Sequence, residues 1–257
     1  MTPTAYGLGG AKCAVWEDRM RKNHARIIAF SFTVLILFSG TGGQAVAQAG
    51  KTAYPAMAPL EQYLIPDEQS EVALARSAAP GSISDGAEVM VLGREGYKTA
   101  VKGTNGFLCM VERSWAQDTG DAEFWNPKMR APHCFNAQAA RSFAPIYLMK
   151  TKLVLAGKSQ AEIAQAVATA LDKNQLPALE PGSMAYMMSK QQYLNDRDKG
   201  WHSHVMFYSP GDMTKTWAAD DPNSPVMVAT DPQERVTVLF VLADKWSDGT
   251  AASMKMP

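Results

Sequence analysis

The grouping of strand-type and helix-type segments along the chain constrains the fold most. A three-stranded meander is predicted over 88–113, because Asn105-Gly106 and an earlier glycine turn separate apolar runs. A pair of helices is predicted over 137–171, and four strands are predicted over 183–243. The last strand, 235–243, is apolar throughout, which predicts burial on both faces near the sheet centre. Strands grouped apart from helices are typical of an α+β fold, so we predict a mostly antiparallel sheet of about six or seven strands.

Capping signals mark the helices that pack on this sheet. Asp67 is a suitable N-cap for a short helix containing the apolar residues of 72–75, and this helix is predicted to cover one sheet face. Ser159 and Glu162 form a capping box at the start of the second helix of the pair. Between the meander and these helices, 114–135 is aromatic and irregular. We predict a packed loop there rather than a binding loop, because large aromatic side chains in loops usually bury themselves.

The segment 201–208 is the most informative strand, because its alternation separates two kinds of side chain. One side of the strand is predicted to face the core. Its residues are Trp201, Ser203, Val205 and Phe207. The other side is predicted to be covered by another element or to line a cavity. Its residues are His202, His204, Met206 and Tyr208.

His202 and His204 are the candidate metal ligands, since alternate strand residues present two imidazoles about 7 Å apart at their Cα atoms. A divalent metal such as zinc needs a third ligand. His133 is a candidate, as are Cys134 and several loop aspartates. The alternative is that both histidines pack or form hydrogen bonds beside aromatic residues. We favour this alternative because the sequence lacks a complete metal-ligand signature.

We predict a non-catalytic exported domain that binds a small molecule or a protein partner and uses no cofactor. The candidate ligand-binding residues are Tyr186, Trp201, His202, His204 and Tyr208. The alternative function is a metal-dependent hydrolase built on the His-x-His strand. The sequence has no Gly-x-Ser-x-Gly nucleophile motif. A formal net charge of zero, without a basic stripe, argues against a nucleic-acid partner.

The N-terminal residues have the three-part pattern of a secretory signal peptide. A basic segment begins at Met20, an apolar run spans 27–38, and small residues lead to a cleavage site at Ala47. Acidic residues upstream do not suit a signal peptide, so we predict that translation starts at Met20 and that 1–19 is a mis-assigned start. Cleavage near Ala47 predicts a periplasmic or extracellular protein with no remaining membrane segment. The alternative is an uncleaved membrane anchor, which the short apolar run disfavours.

The rest of the chain is predicted to consist of a linker or strap (48–66), a single α+β domain (67–245) and a polar tail (246–257). Cys109 and Cys134 both lie in the domain. An even pair of cysteines in an exported protein favours a disulfide, because oxidising compartments preserve such bonds. The alternative is two buried free thiols, since sequence alone does not give their separation.

Four stretches resemble those of a family of exported bacterial proteins for which no activity is known. They are TAVKGTNGF at 99–107, FWNP at 124–127, WHSH at 201–204 and KWSDG at 245–249. The resemblance spans most of the mature chain, implies no activity and carries over no catalytic residue. The element order is also similar to that of profilin-like sensor folds such as PAS or GAF, a likeness that says nothing about activity.

Overall fold

The computed structural model of the protein describes residues 53–252, which are built around one sheet of eight strands. The strands are β1 (Glu88–Gly93), β2 (Gly96–Val101), β3 (Leu108–Glu112), β4 (Ala131–Phe135), β5 (Met184–Met187), β6 (His204–Pro210), β7 (Met227–Asp231) and β8 (Val236–Leu242). Their order is β2-β1-β3-β4-β5-β6-β8-β7, and among these pairs β1 with β3 is the parallel one. The α+β class is therefore confirmed, with eight strands instead of six or seven.

Helices cover the two faces of the sheet unequally. The α-helices are α1 (Glu68–Arg76), α2 (Gly81–Ser84), α3 (Ala137–Ser142), α4 (Ala144–Leu155) and α5 (Gln160–Asp172). We call the face that contacts α1 the outer face, and the face that contacts α3 and α4 the inner face. The predicted Asp67 cap is confirmed, because its carboxylate accepts hydrogen bonds from the backbone N–H groups of Gln69 and Ser70.

The outer face is covered by α1 over one half of the sheet. Val72 and Ala75 of this helix are buried against side chains of β1, β3 and β4. The strand side chains beneath the helix are Val89, Val91, Cys109, Val111 and Cys134. Burial of these aliphatic groups attaches the helix to the sheet, because apolar area is removed from water on both sides.

The inner face holds the larger core. Tyr147 of α4 and Ile163 of α5 are buried in it, and the predicted capping box of Ser159 with Glu162 is present at the start of α5. The aromatic residues of the 114–135 loop are also buried there, so the prediction of a packed loop is confirmed. They are Trp115, Phe124 and Trp125.

The predicted three-stranded meander is wrong in one respect, since β3 pairs with β1 and not with β2. The connection after β2 passes the start of β1 before it reaches β3. There Thr104 N–H donates to the Gly86 carbonyl, and an added Cβ at Gly103 would lie 2.2 Å from the Glu88 backbone nitrogen. Asn105-Gly106 is thus part of a crossing connection, although it has the sequence of a hairpin turn.

Strand β4 was not predicted, because Pro132 indicates a break in regular structure. Pro132 is tolerated because β4 pairs only with β3 at that point, opposite Val111. Pairing with β5 begins two residues later, at Cys134. The missing N–H of proline therefore faces a side of the strand that needs no donor.

The prediction that the last apolar strand is central and doubly buried is also wrong. Strand β8 lies second from the edge, between β6 and β7. Its inner-face residue Val236 is buried, whereas Val241 on the outer face is 45% exposed. An apolar run can signal an open sheet face as well as a buried strand, and the run itself does not distinguish them.

Cys109 and Cys134 form a disulfide between directly opposed residues of β3 and β4. The predicted cysteine pair is therefore confirmed, and Cys134 is not available as a metal ligand. Among residues 53–252, no helix has both the length and the apolar character that crossing a membrane requires. The predicted start at Met20, the signal peptide and its cleavage site lie outside the described residues.

Candidate functional site

Strand β6 has the predicted cover over one face, but the face that was predicted to be core is open at Phe207. It begins at His204 rather than Trp201, and His204, Met206 and Tyr208 are buried on the inner face. Phe207, which was predicted to face the core, is 41% exposed on the outer face. Alternation gives the two sets of residues correctly, but it does not show which set the helices cover.

The two candidate histidines do not form a pair on one strand. His202 lies before β6, and its carbonyl is 2.6 Å from His204 Nδ1. The ring of His204 packs beside Trp201 and Phe240, with ring centroids 4.7 and 5.6 Å away. Burial lowers the pKa of His204 to about 4, so this imidazole is neutral at pH 7. His204 therefore has the packed, hydrogen-bonded setting of the structural alternative.

The third candidate ligand, His133, lies on β4 and is buried in the inner face. Its Nδ1 is 3.1 Å from Glu112 Oε2, and its ring stacks on Phe135. Burial lowers the pKa of His133 to about 4. Within residues 53–252, no group of three or more His, Cys, Asp or Glu side chains is arranged to hold a metal ion. The convergence of ligands that the hydrolase alternative requires is therefore not found in the described part of the chain.

The outer face of β5, β6, β8 and β7 lies beyond the area that α1 covers, and we call this area the open face. Its apolar side chains are all partly exposed or exposed, with Phe207 at 41% and Val241 at 45%. The strand register places them in two rows that cross the strands. One row is Tyr186, Val205 and Val241, and the other is Met184, Phe207, Leu239 and Val228.

Two features bound the open face. On the side of α1, the Tyr186 ring lies 6.1 Å from that of Phe107, which packs against the core beneath α1. At one end of β8, Thr237 Oγ1 donates to the Gly211 carbonyl and accepts from the Met213 N–H, so the chain after β6 covers the sheet there. The open face is thus a defined apolar area beside a helix.

The predicted ligand-binding residues are divided between the two sides of the sheet. Tyr186 lies on the open face, whereas Tyr208 stacks on Phe143 of the inner layer at 4.2 Å. Trp201 packs beside His204, so neither belongs to the open face. Sequence reasoning did not select Phe207 or Val241. The unbroken apolarity of 235–243 is the sequence signal for Val241, but the same run also fits a strand buried on both faces.

Comparisons with protein-family models, with curated proteins and with solved structures find no match for the chain. The resemblance to exported bacterial proteins therefore stays a prediction, as does the likeness to profilin-like folds. The open face is therefore the feature from which a function can be inferred.

Proposed function

We propose that this protein is an exported binding domain that holds an amphipathic helix of a partner protein on its open face. The observation that carries the proposal is the pair of contiguous apolar rows, in which Phe207 and Val241, on the two middle strands β6 and β8, are 41% and 45% exposed. The largest contiguous apolar patch on a soluble protein is often a functional site. An apolar partner surface would remove both rows from water.

The size of the open face favours one helix over a second copy of the chain. Four strands and two rows of side chains span roughly 19 Å by 14 Å, or about 270 Å² in projection. A stable dimer buries about 800 Å² on each partner, roughly three times that area. A single helix of nine residues is about 14 Å long, which matches the length of the face along its strands.

Helix α1 provides an internal precedent for this mode of binding. It has nine residues and packs Val72 and Ala75 on the neighbouring strands of the same outer face. A partner helix beside α1 would continue the same layer over β5, β6 and β8. The open face has no carboxylate, ammonium or guanidinium group among its seven side chains, so the partner helix needs an uncharged stripe at i, i+3, i+4 and i+7.

The partner is expected outside the cytoplasm. The signal-peptide pattern supports export, and the Cys109–Cys134 disulfide is of a kind that oxidising compartments maintain. The proposal therefore concerns a periplasmic or extracellular protein partner.

Photo-crosslinking from the open face tests the proposal. A photoreactive phenylalanine replaces Phe207 in cells that produce the protein, and the crosslinked peptide is identified by mass spectrometry. We expect one discrete partner whose crosslinked segment is a helix with apolar residues at i, i+3 and i+4. Adding Val241→Lys should remove the product, because a charge would be buried beneath the helix.

The matched control places the same photoreactive residue at Lys98, which is exposed on β2 at the far edge of the sheet. The control should not give the same product. A crosslink to a second copy of this chain would contradict the partner-helix proposal and would indicate a homodimer instead. No product at position 207, or an identical product from the control, would overturn the proposal.

A further inference from the structure

A cleft of about 200 Å³ lies on the inner side, away from the open face. It is an open groove bordered by the start of α4, the end of α5, the segment after α5 and the start of β8. Its apolar walls include Phe143, Ile146, Leu176 and Val236. The volume is below the usual 300–1,000 Å³ of ligand sites, so the cleft suits only a small molecule.

Glu234 is one of four polar residues that line this cleft, and the others are Ser142, Asn174 and Arg235. The side chain is 10% exposed, and Oε1 accepts a hydrogen bond from Lys150 Nζ at 2.8 Å. Within residues 53–252, Oε2 has no hydrogen-bond partner. Oε2 can therefore accept a hydrogen bond from a ligand in the cleft, and a hydrogen bond to a charged group contributes more than one between neutral groups.

Lys150 is already satisfied and does not compete for a ligand. Its ammonium donates to the carbonyls of Ala116 and Gln117, at 3.4 and 2.9 Å, and to Glu234. Three donors therefore meet three acceptors. The pair of Lys150 and Glu234 is neutral as a whole, so a cationic ligand would add an uncompensated charge next to the lysine.

We propose that this cleft binds a small, uncharged, mainly apolar molecule with one hydrogen-bond donor, which donates to Glu234 Oε2. Phenol has these properties. Toluene has a similar shape without the donor, and benzylammonium has a charged donor. The three compounds separate the contributions of shape, hydrogen bonding and charge.

The experiment titrates each compound into the protein and follows backbone amide shifts by NMR. We expect shifts around Ile146 and Val236, with phenol binding about tenfold more tightly than toluene, as one hydrogen bond to a charged group provides. Benzylammonium should bind more weakly than phenol. Equal affinities for phenol and toluene, tightest binding by benzylammonium, or shifts confined to another region would overturn the proposal.

Three variants test which residues are responsible for binding. Glu234→Gln turns an amide donor toward the cleft and should remove the advantage of phenol, although it leaves Lys150 without its charged partner. Leu176→Trp changes a partly exposed wall residue, fills the cleft without opening the core, and should abolish binding. Phe207→Glu on the open face should leave phenol binding unchanged, so failure here and failure of the partner-helix proposal are distinguishable.

Discussion

A guanidinium nitrogen of Arg113 lies 2.8 Å from Glu71 Oε1, and the two side chains are 0% and 1% exposed. Glu71 belongs to α1 and Arg113 directly follows β3, so the ion pair links the outer helix to the sheet. The same carboxylate oxygen accepts the Leu92 N–H at 3.0 Å, and Arg113 Nε donates to the Tyr63 carbonyl at 2.7 Å. The charges are thus both paired and hydrogen-bonded, as burial demands.

Removing one member of this pair should be severe. Glu71→Ala leaves the Arg113 guanidinium buried without a counter-charge, and we expect a loss of about 3–5 kcal/mol in the free energy of unfolding. The control is Glu68→Ala on the same helix, which breaks an exposed pair with Lys98 and should cost less than about 1 kcal/mol. Urea denaturation measures both. Similar losses for the two variants would contradict the role given to the buried pair.

The crossing connection between β2 and β3 depends on a glycine. Gly103→Ala would place a Cβ 2.2 Å from the Glu88 backbone nitrogen, a contact that rigid backbone cannot relieve without moving. We expect a loss of about 2 kcal/mol or more. Gly120→Ala is the control, because its Cβ would meet only Asp118 Oδ1 at 3.4 Å. Thermal unfolding that shows no difference between these two variants would indicate that the crossing is not tightly packed.

Sequence was sufficient for features that depend on local chemistry. The Asp67 cap, the capping box of Ser159 and Glu162, and the α+β class follow from short-range rules, and all are observed. The sequence did not predict features that depend on contacts between segments far apart in the chain. Asn105-Gly106 signals a turn, but which side of β1 the next strand joins depends on contacts with 83–88, which no local pattern contains.

The candidate site illustrates the same limit. The alternation in 201–208 separates Phe207 from His204 and Tyr208 correctly. The side that becomes the core depends on where α3 and α4 lie, which the strand sequence does not specify. Both faces of the strand carry large apolar side chains, and Phe207 is as apolar as a core residue. Its sequence therefore favours placing Phe207 in the core, which is wrong.

Adjacent residues of β6 provide a direct check on this face assignment. Met206→Lys places an ammonium in the inner core and should cost at least about 3 kcal/mol. Phe207→Lys changes a 41% exposed residue on the open face and should cost less than about 1 kcal/mol. Denaturant titration of the two variants gives the comparison. The reverse order of stability would mean that the originally predicted core face is the buried one.

The disulfide should contribute measurably to stability. It closes a loop with a sequence separation of 25 residues, for which the chain-entropy relation gives about 3.5 kcal/mol. Cys109→Ala combined with Cys134→Ala should therefore lower the unfolding free energy by about this amount. Thiol titration of denatured, unreduced protein starting at residue 48 should find no free thiol. Two free thiols would show that the bond does not form in the protein as produced.

Glu112 and His133 form a buried pair whose protonation depends on the fold. Burial raises the pKa of Glu112 to about 8, with a smaller opposing effect from Lys150, and burial lowers the pKa of His133 to about 4. At pH 7 the folded protein therefore holds the proton on Glu112 and leaves His133 neutral. Each group is uncharged in its buried setting, so ionising either one opposes folding.

Glu112 and His133 make the free energy of unfolding depend on pH in opposite directions. Between about pH 4.5 and 8, folded Glu112 binds more protons than the unfolded chain does, so its contribution to stability falls as pH rises. Between about pH 6.5 and 4, folded His133 binds fewer protons than the unfolded chain, so its contribution falls as pH falls. A change at Glu112 should therefore remove the fall in stability between about pH 4.5 and 8 and leave the contribution of His133 in place.

Glu112→Gln tests this separation, because the amide has nearly the same shape as the protonated carboxyl group but does not ionise. The free energy of unfolding of this variant, minus that of the unmodified protein, should increase from pH 5 to pH 8 by on the order of a few kcal/mol. The loss of stability that His133 causes at low pH should remain. Glu95→Gln, at an exposed turn between β1 and β2, should give a curve parallel to the unmodified protein. Urea denaturation at pH 5, 6, 7 and 8 provides the four points. A parallel curve for Glu112→Gln would mean that Glu112 is already ionised in the folded protein.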